Sequence, residues 1–204
     1  MTCMVIDFGM GNLGSVARSL EECGADVTIT SDPSTLKKAT KIVLPGVGAF
    51  ADGMHNLHEG GWVEVLNSLV VIKKTPLLGI CLGMQLLADS GHEGDGCKGL
   101  GFISGDVVRL IPENNTEKIP HVGWNEVHIL RSNSLFEAIP DRSDFYFVHS
   151  YHFVVKKKEQ IIAQTPYCRK FAAAIMAENI FGVQFHPEKS SKYGFNLLRN
   201  FIGL

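Results

Sequence analysis

Cys81 stands between two glycines in Gly79-Ile80-Cys81-Leu82-Gly83. An apolar run, Pro76-Leu77-Leu78-Gly79-Ile80, leads into it, and a helix-like stretch, Met84-Gln85-Leu86-Leu87-Ala88, leads away. A buried strand that turns sharply into a helix around one residue makes a nucleophile elbow, and flanking glycines relieve the crowding of such a turn. The elbow pushes the sulfur outward beside a helix N-terminus, where the dipole and free N–H groups favour the reactive thiolate. Far downstream a second apolar run, residues 180–185, ends in His186-Pro187-Glu188. His186 is the candidate base for the thiol proton and the acid for a leaving nitrogen. Glu188, two residues along an extended segment, points the same way and can orient the imidazole. Pro187 biases His186 towards that extended conformation. Cysteine, histidine and carboxylate in these roles perform acyl transfer through a thioester.

Such chemistry needs an oxyanion hole. One donor is the backbone N–H of Leu82, directly after the nucleophile. A second must come from another strand-to-helix loop. Leu44-Pro45-Gly46-Val47-Gly48-Ala49-Phe50 follows a strand and has glycines that let its backbone approach a substrate, so Val47 and Gly48 are the candidates.

The elements around these residues follow from the alternation of apolar runs. Strands are expected at residues 4–6, 27–30 and 41–44, a helix at 13–20 with Asn12 as N-cap, and helices at 51–58 and 62–73. This β-α-β rhythm implies a parallel sheet with helices on both faces. After Cys97 the rhythm changes. Residues 106–110, 124–130, 144–148, 152–155, 161–164, 172–176 and 180–185 read as strands, and 193–201 as an amphipathic helix. The expected fold is therefore α/β: a mostly parallel central sheet flanked by helices, with antiparallel or mixed strands added in the C-terminal half. One domain over residues 1–204 accounts for the length.

Composition narrows the function. Apolar residues make up 45% and charged residues 20%, as in a globular protein that remains in water. The net charge of −2 comes without a basic block, which argues against nucleic acid as a partner. Lys156-Lys157-Lys158-Glu159 reads as a solvated turn. No apolar run approaches the ~20 residues that span a bilayer, and the N-terminal stretch lacks the basic start of a signal peptide. The five cysteines are scattered and form no C-x-x-C pair, against a disulfide framework or a zinc site and in favour of a reducing cytoplasm. No metal or cofactor is expected.

One motif points elsewhere. Gly9-Met10-Gly11-Asn12-Leu13-Gly14 matches G-x-G-x-x-G after a strand, with Asp32 downstream, the pattern of a dinucleotide-binding turn. The same glycines also allow a tight turn against a partner protein, and nothing downstream supports hydride chemistry.

Pro45-Gly46-Val47-Gly48, Gly79-Ile80-Cys81-Leu82-Gly83-Met84-Gln85 and Gln184-Phe185-His186-Pro187-Glu188-Lys189-Ser190 together resemble the class I, or triad, glutamine amidotransferases. The resemblance covers nearly the whole chain. Its finer form is to the glutaminase subunits of imidazole glycerol phosphate synthases. That form is carried by Asp7-Phe8-Gly9-Met10-Gly11-Asn12, Pro120-His121-Val122-Gly123-Trp124-Asn125, Tyr146-Phe147-Val148-His149-Ser150-Tyr151 and Lys189-Ser190. The resemblance implies glutamine as substrate and glutamate and ammonia as products. It implies that Gly48, Gln85, Ser150 and Tyr151 hold the glutamine, with Glu93 on the α-ammonium and Asp89 as the alternative carboxylate. It implies a heterodimer with a synthase/cyclase subunit that receives the ammonia, met at Asn12, Trp124, Tyr146 and Lys189. Trp124 could equally be a core residue. Three alternatives remain: a paralogous glutaminase serving sugar amidation for surface polysaccharide, a dinucleotide-binding module built on residues 9–14, and a thiol hydrolase on a related scaffold.

Overall fold

The computed structural model describes residues 2–204. The first half runs β1 (Thr2–Ile6), α1 (Leu13–Glu22), β2 (Asp26–Thr30), β3 (Lys41–Gly46), α2 (Phe50–Glu59), α3 (Trp62–Leu66), β4 (Leu77–Cys81) and α4 (Leu82–Gln85). The second half runs β5 (Ser90–Gly91), β6 (Cys97–Lys98), β7 (Gly105–Arg109), β8 (His121–Ile129), β9 (Ser143–His149), β10 (Tyr151–Val155), β11 (Ile161–Pro166), β12 (Lys170–Ala177), β13 (Ile180–Val183) and α5 (Ser191–Gly203).

A nine-stranded sheet has the order β2-β1-β3-β4-β13-β12-β11-β8-β9. From β2 to β13 the pairings are parallel. From β13 to β9 they are antiparallel. The sheet is thus mixed, with parallel pairing confined to one half. β3 and β4 are buried along their whole length, as parallel strands covered on both faces must be. Their side chains alternate between two cores. Ile42, Leu44 and Leu77 face α2 and α3 through Phe50, Met54, Leu57 and Trp62. Val43, Leu78 and Ile80 face α1 and α5 through Val16, Leu20, Leu197 and Phe201.

The register decides the site. Gly46 pairs with Cys81, and Ile80 pairs with Val183. The carboxyl ends of β3, β4 and β13 therefore lie side by side, the place where open α/β sheets bind ligands. A second, four-stranded sheet, β10-β7-β5-β6, stands beside it. Ser150 alone joins β9 of the large sheet to β10 of the small one, so the two sheets meet at this residue.

Several elements differ from expectation. The extended segment expected over residues 186–188 holds only at His186, because Pro187–Lys189 is a 3-10 turn in which the Lys189 N–H returns to the His186 carbonyl at 3.0 Å. The short strands β5 and β6 fall outside the expected elements. The helix after Cys81 is the single turn α4 and does not continue through Ala88. The carbonyls of Leu86, Leu87 and Ala88 accept N–H groups from Leu100, Phe102, Ile103 and Gly101 at 2.9–3.0 Å, so tertiary pairing takes the acceptors that a helix would use. The dipole of so short a helix is correspondingly small. The expected helix over 62–73 is α3 continued by a π-helical turn, Asn67–Ile72. β8 begins at His121, ahead of the expected residue 124, because β9 offers a partner to every residue from His121 onward.

Backbone approach at the elbow leaves no room for side chains. A Cβ on Gly83 would overlap the Leu44 carbonyl, and one on Gly79 would lie 2.7 Å from the Gly83 carbonyl. At Gly14 a Cβ would meet nothing within 4 Å. In urea unfolding, Gly83→Ala should cost about 3 kcal/mol. Gly14→Ala in the helix should be neutral or stabilising by up to ~1 kcal/mol. Equal effects at the two positions would mean that the elbow is not tightly packed.

Candidate active site

Cys81 closes β4 with φ 54° and ψ −109°, a conformation that non-glycine residues rarely adopt and that signals stored strain. Leu82 opens α4, so its N–H is one of the donors a helix start leaves free. Cys81, Leu82, Val47 and Gly48 line one cavity of about 290 Å³, with Gln85, Glu93, Val148, His149, Ser150 and Tyr151 forming the rest of its wall. A larger hollow of about 490 Å³, lined by Ile129 and part of the 132–139 segment, contains neither Cys81 nor the His186–Glu188 pair and lies apart from this cavity.

Behind Cys81, His186 Nδ1 bonds Glu188 Oε1 at 2.8 Å, with the two side chains only 3% and 1% exposed. Glu188 thereby occupies one ring nitrogen. The other, Nε2, is buried without a hydrogen-bond partner, leaving it to exchange a proton with the neighbouring sulfur. Burial alone would depress the His186 pKa. Contact with the Cys81 sulfur and the Glu188 carboxylate outweighs it and raises the value to about 9. An imidazolium held beside a cysteine is the usual means of activating a thiol nucleophile.

His149 is the opposite case. Burial lowers its pKa to about 3, and burial takes His121 and His152 to about 4. The hydrogen bonds agree with neutral rings. His149 Nδ1 donates to the Tyr151 carbonyl at 2.8 Å, so its Nε2 must accept from His121 Nδ1 at 3.1 Å. Asn125 Nδ2 then donates to His121 Nε2 at 3.3 Å. Phe147 and Tyr167 stack on the two faces of His121.

The two carboxylate candidates separate. Glu93 lines the cavity, and its Oε2 accepts the Phe50 N–H at 2.8 Å, capping α2, whose own N-cap Ala49 offers no side chain. Asp89 is turned away, bonded to Lys156 at 3.0 Å and to the Gly105 N–H at 3.1 Å. The dinucleotide motif also separates. Asn12 caps α1 through Ser15 N, Asp32 caps the turn at Ser34, and the open space around Gly14 lacks the close helix–strand packing of such a fingerprint.

The family model Glutamine amidotransferase class-I matches residues 4–203. The chain belongs to the class-I glutamine amidotransferases. It is 50% identical to "Imidazole glycerol phosphate synthase subunit HisH 2" of Methanococcus maripaludis over 97% of both chains. It is also 50% identical to "Imidazole glycerol phosphate synthase subunit HisH 1" of Campylobacter jejuni (strain RM1221) over 98% of both. A solved structure titled a glutamine amidotransferase superposes with a TM-score of 0.77 at 16% identity, covering 98% of this chain and 97% of that one, a likeness of fold.

On this amidotransferase, Trp124, Tyr146 and Lys189 form one row beside the site. Trp124 is 55% exposed, so it is not a core residue. Its ring meets Tyr146 edge-on at 6.1 Å, and Lys189 Nζ lies 5.9 Å from the centre of the Tyr146 ring. Val122, on the same face of β8, is also exposed. Tyr146 links this face to the base, because its carbonyl accepts the His186 N–H at 2.9 Å. Asn12 is exposed on the separate loop before α1. Sequence reasoning missed Val148, His149 and Gln184. His149 and Gln184 each lie within two residues of a candidate already singled out, and their burial and pairing are what mark them.

The neutral histidines set an acid limit. Their folded pKa values lie below the ordinary value near 6.5, so the unfolded chain binds protons first and stability falls as pH drops from about 6.5 towards 4. His186, raised to about 9, contributes fully below about pH 6.5 and loses its contribution as pH rises through 9. His149→Gln should flatten the acid limb by about one proton, or ~1.4 kcal/mol per pH unit. Urea unfolding at stepped pH checks this, and an unchanged slope would show that His149 is not held neutral.

Proposed function

We propose that this chain is the glutaminase subunit of an imidazole glycerol phosphate synthase in histidine biosynthesis, delivering ammonia to a cyclase partner in the cytoplasm. No helix among the described residues is long and apolar enough to cross a membrane. The observation that carries the reading is the cavity of about 290 Å³, walled by an elbow cysteine and by loop backbone at Leu82, Val47 and Gly48, with a buried His–Glu pair behind the cysteine.

In the first step Cys81 Sγ attacks the side-chain amide carbon of glutamine. A C–S bond forms and the carbonyl electron pair moves onto oxygen, where the Leu82 N–H and the Val47–Gly48 loop receive it. His186 gives its Nε2 proton to the amide nitrogen, the C–N bond breaks, and ammonia leaves. Water then gives a proton to His186 and attacks the thioester, releasing glutamate and the sulfur. Gln85 uses both Nε2 hydrogens internally, on the Tyr151 carbonyl and Gln184 Oε1. Its Oε1 remains to accept an N–H from the substrate. Glu93 faces the α-ammonium, with Ser150 and Tyr151 closing the opposite wall.

The Trp124–Tyr146–Lys189 row with Val122 supplies the partner face, together with Asn12. An aromatic pair with a cation at its rim has the composition of an interface hot spot. A second reading keeps the chemistry and changes the acceptor to a sugar. The copy numbers in the relatives' names favour keeping it, since they imply duplicated subunits.

Cys81→Ala should lower glutamine hydrolysis by at least ~10³-fold, while ammonium salt still supports product formation by the reconstituted complex. Glu188→Gln should cost less than His186→Ala, because the imidazole can act without a fixed carboxylate. Glutamate release should be weak for the chain alone and rise steeply with a substrate-loaded cyclase. Trp124→Ala should reduce that rise about tenfold or more with little change in basal rate. Full turnover without any partner would overturn the reading in favour of a free-standing hydrolase. Activation by a sugar-amidating synthase alone would select the second acceptor.

A further inference from the structure

Gln184 ends the run out of β13, two residues before His186, and is completely buried. Its backbone N–H is bound to the Ala173 carbonyl at 2.9 Å, which fixes the residue on the sheet. A buried carboxamide needs partners at both ends. Both ends of this one fall on site residues: Oε1 receives Gln85 Nε2 at 3.0 Å, and Nε2 lies 3.7 Å from Cys81 Sγ.

The orientation of this amide follows from its neighbours. The Tyr151 carbonyl can only accept, so the Gln85 atom 2.9 Å from it must be the nitrogen. That nitrogen also faces Gln184, so the Gln184 atom opposite must be the oxygen. The Gln184 nitrogen is then left to face the sulfur. Besides His186, the sulfur has the Val148 carbonyl at 3.9 Å as a polar neighbour, which can serve a thiol but repels a thiolate. An N–H donor on the other side offsets that repulsion.

We infer that Gln184 is a positioning residue of the same site, tying the substrate-facing Gln85 to the nucleophile and donating an N–H that holds the Cys81 thiolate. The inference rests on Cys81 being the nucleophile and extends that reading. The titratable groups around the sulfur are His186, backed by Glu188, on the segment after β13, His149 at the end of β9, and Glu93 across the cavity. A substitution at 184 removes none of them, and because Gln184→Glu adds a carboxylate beside the sulfur, an uncharged variant is needed for comparison.

Two variants separate donation to sulfur from support of Gln85. Gln184→Glu keeps the volume and the acceptor for Gln85 but presents an oxygen to the sulfur. Gln184→Met removes both functions. The readout is alkylation of Cys81 by iodoacetamide as a function of pH, followed on the Cys81 peptide by mass spectrometry, with no glutamine present. Both variants should react ~10-fold more slowly than the native protein at neutral pH, with the rate curve displaced to higher pH. Native-like alkylation of Gln184→Glu would overturn the inference and leave only a supporting role for Gln85. If Gln184→Met fails to fold, Gln184→Leu, equally without charge or N–H donor, takes its place, and native-like alkylation of that variant overturns the inference. The assay reads the sulfur without glutamine or partner. A native protein that alkylates normally but releases no glutamate would therefore defeat the proposed function and leave this inference standing.

Discussion

The structure depends on the side-by-side ending of β3, β4 and β13. Pairing of Gly46 with Cys81 and of Ile80 with Val183 puts the Val47–Gly48 loop, Cys81 and the segment leading to His186 on three adjacent strand ends. That closeness is possible only because glycines at 46, 79 and 83 let backbone meet backbone. It also explains why the chain accepts a left-handed conformation at Cys81. The strain is held by packing on both sides of the sheet, where Leu44 and Leu82 fill one core and Ile80 the other. Strain of this kind persists only where the surroundings over-determine it.

Burial then acts on the imidazoles in two directions. His186 and His149 both lie near the sulfur, and both are desolvated. Only His186 is stabilised by both the Cys81 sulfur and a carboxylate, so its pKa is raised where that of His149 is lowered. His149 has only a carbonyl and another neutral histidine, so burial dominates, and the imidazoles of His121, His152 and His186 lower its proton affinity further. Neighbouring groups whose environments push their proton affinities apart reveal which one moves protons. His149 serves the cavity wall instead, and its bond to the Tyr151 carbonyl meets the bond from Gln85 at the same oxygen.

The exposed aromatic face is mechanically close to this chemistry. Tyr146 presents its ring to Trp124 and Lys189, while its N–H donates to Ser190 Oγ at 3.0 Å and its carbonyl holds the His186 N–H. The Ser190 hydroxyl also bonds the His186 carbonyl. A molecule seated on the ring pair is therefore one peptide unit from His186. The small sheet closes the other side, with Tyr151 at the start of β10 and Glu93 after β5.

The amino-acid sequence by itself determined the local matters: the alternation of elements in the first half, the elbow at Cys81, the extended backbone of His186 before Pro187, and the glycines that a tight turn requires. These rest on interactions between near neighbours, whose pattern is written along the chain. The likeness of motifs added the wall residues Gln85, Ser150 and Tyr151. Only the tertiary structure decided that α4 stops after one turn, because the carbonyls of residues 86–88 accept N–H groups from the 100–103 loop. It also decided that Glu93 faces the cavity while Asp89 faces Lys156, four residues apart in a segment where turn geometry sets direction. Gln184 and the His121–His149 pair were invisible as single letters in the sequence. Their meaning is a direction and a partner, and both are fixed by strand register between residues far apart in the chain.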